Sequence, residues 1–140
     1  MRALVAAVVG AACIAGCVFE RDNGAARRHG RVYDVVVRDF AIDAPSHLAA
    51  GDVVFRVHNE GPDDHELILV HAVGELPVRR DGITADEDAL KGATVGALEP
   101  TTRGDTRKLS AHLVPGRYEF FCNMAGHFRG GMHAPLTVGQ

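Results

Sequence analysis

The sequence predicts an all-β fold, a two-sheet Greek-key β-sandwich with one short helical insertion around residues 84–91. Three observations carry that expectation. Short runs of period-two apolar alternation recur along the chain, the segments between them are rich in Gly and Pro, and only one stretch has helical character. The chain has 140 residues, so setting aside the first 30 leaves 110, enough for one domain with a core and too few for two.

Arg31 to Ile42 reads as the first strand, with a change of phase along it. Tyr33, Val35 and Val37 share one face and Phe40 and Ile42 the other, so a bulge or kink near Arg38-Asp39 is expected to restore a single inward face. Gly51-Asp52 opens the next strand, where Val53, Phe55 and Val57 alternate with Val54, Arg56 and His58 and put His58 on the solvent side. After the polar turn Asn59-Glu60-Gly61-Pro62-Asp63-Asp64, a strand starts at His65. Leu67 and Leu69 are in phase with the imidazole, and Ile68 and Val70 face the other way. His71 falls some 20 Å along this strand from His65 at about 3.3 Å per residue, too far to share a metal.

From Ala72 to Thr102 the alternation dissolves. Glu75 to Gly82 reads as loop, and Thr84 to Lys91 as one or two turns of helix. Thr84 is the expected N-cap, Asp86, Glu87 and Asp88 lie near the positive end as a solvated face, and Gly92 closes the helix. Thr106 to Leu113 is the next strand, and Pro115-Gly116 turns into Arg117 to Cys122. Leu136 and Val138 mark the last strand.

Ahead of the domain, Met1 and Arg2 precede an unbroken apolar or small run from Ala3 to Gly16, the layout of a secretory signal and shorter than the roughly 20 residues a span requires. The run ends Ile14-Ala15-Gly16-Cys17, which resembles the lipobox of bacterial lipoproteins. The resemblance implies cleavage before Cys17 and acylation of that residue. Residues 1–16 are then the signal peptide, 17–30 a flexible tether averaging roughly 20 Å, and 31–140 the domain. An ordinary signal peptide cleaved nearby is the alternative. Lipidation makes the protein a membrane-anchored component of the extracytoplasmic envelope, on the periplasmic side or the outer face.

The net charge of −3 becomes −4 once Arg2, the only charge in residues 1–16, is removed, which argues against nucleic acid as a partner. Export usually brings disulfides. Here Cys13 leaves with the signal and Cys17 is blocked by lipid, so Cys122 stands alone, and metal coordination accounts for an exported free thiol.

Cys122, His127 and Met132 follow one another with four residues in each gap, a spacing that suits a loop between two strands. Thiolate and thioether sulfur with imidazole is the donor set that selects copper, and one Cys with two His and a weak axial Met describes an electron-transfer copper site. His65, delivered by its turn to the first position of an apolar strand, supplies the second imidazole. Through these four residues, residues 31–140 resemble the cupredoxins, the small blue copper proteins of the plastocyanin and azurin type, in the variants whose two C-terminal gaps are both four residues. The resemblance implies the same sandwich, one type 1 copper ion, and electron entry and exit at the exposed edge of His127.

Around the ligands, Gly126, Gly130 and Gly131 permit a tight loop, and Met124, Phe128, Ala134 and Pro135 are expected to surround His127. Asn59 and Asn123 each have two readings: a tie between the ligand loops or a donor to the thiolate, and a plain turn residue. His133 adjoins Met132, but neighbours in an extended chain point opposite ways, which favours Met132 as the axial donor. His29, His47 and His112 lack ligand spacing. The leading function is a membrane-tethered carrier of single electrons between redox partner proteins, expected to be a monomer with no substrate and no catalytic residues. A copper-binding protein that stores or delivers the metal is the alternative, kept open by His133 and Met124. A sandwich that works through protein contacts is a third.

Overall fold

In the computed structural model, which describes residues 30–72 and 74–140, nine strands form two sheets. The signal segment, Cys17 and all but the last residue of the tether lie outside the described residues. Strand β1 (Arg31–Arg38) lies between β2 (Ala41–Asp43) and β4 (Gly51–Asn59), and β7 (Thr106–Leu113) completes that sheet. The second sheet runs β3 (His47–Ala49), β9 (His133–Gly139), β8 (Gly116–Phe121), β5 (His65–His71) and β6 (Thr94–Thr101). Among the described residues no helix is long and apolar enough to cross a membrane.

The inward phases read from the sequence meet between the sheets. Val35, Val53, Phe55 and Leu113 of one face Leu67, Leu69, Phe120 and Leu136 of the other, in one cluster with Cys122 and Met132. Phe55 meets Phe120 edge to face across the gap, with ring centroids 5.0 Å apart. The opposite phase of β5 is buried too. Ile68 and Val70 join Phe121, Ala85 and Leu90 in a second small cluster, so the insertion packs on the outer face of the sheet. Burial on both faces explains the continuous apolar run Leu67–Val70. The Tyr118 hydroxyl donates to the Val114 carbonyl at 2.9 Å and accepts from its amide at 3.0 Å, pinning the turn that leads into the cysteine-bearing strand.

Several sequence expectations are corrected. The change of phase after Arg38 is a reversal, not a bulge: Asp39-Phe40 turns the chain and β2 pairs antiparallel with β1, Val36 opposite Asp43. Phe40 consequently does not face the core. It is 53% exposed and sits at φ +60°, the one non-glycine residue at positive φ among the described residues, a conformation that costs roughly 1–2 kcal/mol.

The stretch from Ala72 to Thr102, where the alternation dissolves, ends in β6, an edge strand whose pairing with β5 shifts register twice. Its period is interrupted because Gly96 makes room for Leu109, whose Cδ1 would lie 2.9 Å from a Cβ there, and because Pro100 is tolerated near an edge. Strand β3 is three residues long and pairs in parallel with β9, too short to show a period. Last, α1 (Glu87–Leu90) is capped by Asp86, which accepts from the Ala89 amide at 3.2 Å. Thr84 is held instead by Asp81, its hydroxyl donating at 2.7 Å, and Lys91, not a glycine, ends the helix in right-handed conformation.

Candidate metal centre

Cys122 sits one residue past β8 and Met132 one residue before β9, so the loop between them is anchored at both ends by an antiparallel pair. Its backbone is bonded to itself. The Cys122 amide donates to the Met132 carbonyl at 3.1 Å and the Met132 amide to the His127 carbonyl at 3.0 Å, while His127 donates to Met124 at 2.9 Å. Gly126 and Gly131 take the left-handed conformation that these tight turns need. Gly130 serves differently: a Cβ there would run into the ring of Phe40.

This loop brings Cys122 Sγ to 3.6 Å from His127 Nδ1, both groups buried, with Met132 fully buried in the same cluster. A sulfur and a nitrogen bound to one ion at the usual metal distances of about 2.3 and 2.0–2.1 Å are separated by roughly 3.5–3.8 Å when the angle between them is near tetrahedral or trigonal. The pair therefore has the separation of two donors on one metal. Burial pushes the Cys122 thiol up, against backbone amides that pull it down. A metal must displace that proton, which makes binding stronger as pH rises.

His65 is delivered to the same place by β5, the strand next to β8 in the same sheet. Its ring is 5.1 Å from that of His127, centroid to centroid, and is buried. Burial and the neighbouring His127 lower its pKa, with Asp39, Asp63 and Asp64 opposing. The Asn59 amide is fixed in orientation: Nδ2 donates to the carbonyls of Thr101 at 2.6 Å and Asp63 at 3.0 Å, and Oδ1 accepts from the Gly61 amide at 3.0 Å. At 3.1 Å from that oxygen, His65 Nδ1 must be the protonated nitrogen of the neutral ring. Nε2 is then a buried lone pair with no hydrogen-bond partner. An Asp39 oxygen lies 3.2 Å from it, but outside hydrogen-bonding geometry. An orphaned basic nitrogen beside a carboxylate fits a cation. Among the described residues, however, no three His, Cys, Asp or Glu side chains converge on one point: Asn59 holds His65 Nδ1, while His127 Nδ1 faces the sulfur.

His133 is separated from the centre. It is exposed and pairs with Glu119 at 2.8 Å. The Asn123 side chain is bonded neither to the His65 turn nor to the Cys122 sulfur. Its side chain accepts from the Ala85 amide at 2.6 Å and donates to the Ala85 carbonyl at 3.1 Å and to Glu87 at 2.6 Å, fastening the insertion to the residue after the cysteine. Its own amide donates to Glu66 at 2.9 Å, a carboxyl that burial raises in pKa. Asn59 is the last residue of β4, and its side chain both fastens the turn at Gly61 and holds the His65 ring. The environment expected for His127 is altered as well: Phe128 packs on Phe121, ring centroids 5.7 Å apart, and it is Phe40 that lies against the imidazole, edge-on at 5.4 Å. The turn at Asp39 was signalled by the loss of phase there; the contact of its Phe40 with a residue 87 positions on was not.

No protein-family model matches the sequence, and no curated protein matches it either. Solved structures do. An auracyanin from the photosynthetic bacterium Roseiflexus castenholzii superposes with TM-score 0.61 at 18% identity, over 80% of this chain and 99% of that one. Auracyanin A, a blue copper protein from the green thermophilic photosynthetic bacterium Chloroflexus aurantiacus, gives 0.60 at 20% identity over 79% and 99%. Rusticyanin from Thiobacillus ferrooxidans gives 0.55 at 17% over 79% of each chain. These proteins are cupredoxins, and at such identities the likeness establishes the fold: the described chain is a cupredoxin sandwich.

Proposed function

We propose that this chain of cupredoxin fold is a blue copper protein that carries single electrons, with His65, Cys122, His127 and Met132 as the ligands of one type 1 copper ion. The observation that carries the reading is the buried Cys122–His127 pair, a thiol without a disulfide partner held 3.6 Å from an imidazole nitrogen. Copper bound there supplies one-electron exchange between its two oxidation states, and soft sulfur with imidazole is the donor set that suits it. The chain's part is to hold the donors still. His65 starts one strand and Cys122 directly follows the end of its neighbour, so the sheet sets the distance between them. The self-bonded loop fixes His127 and Met132 relative to Cys122.

Rigidity separates a carrier from a copper-handling protein, which has to release its metal. His133, which would help a handler, is tied to Glu119 and turned outward. The carrier reading predicts that the purified protein, cycled repeatedly between reduced and oxidised forms with the Cu(I) chelator bathocuproine disulfonate present, keeps its copper and exchanges electrons with a small redox protein in every cycle. Loss of copper in the first reduced interval would replace the carrier with the handler.

The tethered location belongs to the same proposal. Acylation at Cys17 would hold the domain near a membrane in the cell envelope, within reach of redox partner proteins there. The mature protein extracted from membranes should exceed the mass of the polypeptide 17–140 by a diacyl or triacyl group, and Cys17→Ser should release it. A soluble mature chain beginning elsewhere removes the anchor.

A further inference from the structure

We propose that Phe40 is a shield for His127: its ring, held over the imidazole by a left-handed turn, closes the route by which solvent and small ligands reach that buried histidine. Three observations lead there. The turn itself does not require phenylalanine, since glycine adopts φ +60° freely and a side chain there is strained. The core does not require it either, because the residue is 53% exposed. What the strained backbone achieves is a position, with the ring edge-on to His127 at 5.4 Å and against Gly130, where no side chain would fit beneath it. Strain retained at an exposed residue beside a site is the pattern of a functional position.

The turn is also fixed from its other side. Asp39, the residue before Phe40, accepts from the Asp63 amide at 3.4 Å and packs against Gly61, where a Cβ would lie 2.8 Å from its Oδ1 and 2.6 Å from His65 Cε1. The reversal after β1 is thereby bound to the turn that carries His65, and Phe40 reaches over to His127 from that base. His127 is left buried, with Asp63 Oδ2 3.7 Å from its Nε2. Beneath the shield the imidazole is part of the interior; without it, the ring edge opens to water.

Accessibility of the imidazole can be read without metal, so this inference rests on the copper reading only in its second measurement. In the metal-free full-length protein, diethyl pyrocarbonate should modify His127 several-fold faster in Phe40→Gly than in the wild type, with Phe40→Leu between them. His112, whose side chain is 67% exposed, serves as internal standard and should be unchanged. Phe40→Gly should melt close to the wild-type temperature and above Phe40→Ala, which keeps the strain without the ring. In the copper-loaded protein, release to bathocuproine disulfonate should accelerate in the same order of variants. An unchanged His127 rate in Phe40→Gly overturns the shield. So does a rise shared by all histidines with a large drop in melting temperature, which would make Phe40 a packing residue. A wild-type protein that takes up no copper refutes the copper reading, and the metal-free modification rates still decide the role of Phe40.

Discussion

Replacing Cys122 by alanine should abolish the intense red-absorbing thiolate-to-copper band while leaving the domain folded. Among the described residues Cys122 is the one free thiol, so no other sulfur there can supply the charge transfer. Copper affinity should fall by more than 100-fold, because altering even the groups that merely orient ligands costs roughly 10–100-fold. The fold should suffer little. The side chain is fully buried, and trimming one sulfur from it removes about 1 kcal/mol of packing, or roughly 4–8 °C in Tm for a domain near 100 residues. Absorption spectra with one equivalent of copper, and thermal melts of the metal-free proteins, separate the two effects. A surviving band would remove Cys122 from the site.

Much of the sandwich is visible in the sequence because it depends on local pattern. In β4 every second residue from Val53 to Val57 is buried, and in β8 Tyr118 and Phe120 repeat that phase toward Cys122. The candidate ligands are visible for the same reason. Three of the four sit within eleven residues, and the fourth opens a strand directly after a turn. What the pattern does not carry is the choice each polar or irregular residue makes among distant partners. Asn59 bonds to Thr101, 42 residues on, and Asn123 to Ala85, 38 residues back. An asparagine in a turn has the same local signature whether or not its amide reaches across a sheet. Likewise β6 loses its period where it accommodates a leucine of the opposite sheet, a demand set by tertiary packing.

The insertion makes such contacts as well. Its acidic residues look like a solvated surface, and Asp88 is one, with its side chain 93% exposed. Glu87 instead accepts from the Asn123 side chain, and Ala85 and Leu90 are buried against β5 and β8. Three hydrogen bonds therefore connect this segment to the residue after Cys122. The cysteine is held from both sides of its sheet: by the main core around its sulfur, and by the insertion through its neighbour. That double support is what a donor set must have if it is to keep its geometry while charge is added and removed.

Asn59→Ala should be among the most damaging single changes outside the candidate ligands. Its side chain makes four hydrogen bonds, to the carbonyls of Asp63 and Thr101, the amide of Gly61 and Nδ1 of His65, with the residue itself 1% exposed. Alanine leaves all four partners behind. Each buried group left unpaired costs about 1–3 kcal/mol, and water can recover those near the surface, so a loss of about 2–4 kcal/mol in denaturant unfolding is expected. Freed from Asn59, the His65 ring loses the contact that sets its tautomer, and copper affinity should fall by roughly 10–100-fold. Asn59→Asp sharpens the test, because it keeps an acceptor for Gly61 and His65 but turns the two donated bonds into a carboxylate facing two carbonyls. A buried carboxyl so placed has a folded-state pKa above its unfolded value, so the folded protein binds the extra proton between the two values and stability is regained as pH falls through that window. Asn59→Asp should therefore be unstable at neutral pH and recover on mild acidification, whereas Asn59→Ala should not. Equal stability of both variants with the wild type at neutral pH would mean that Asn59 is only a turn residue.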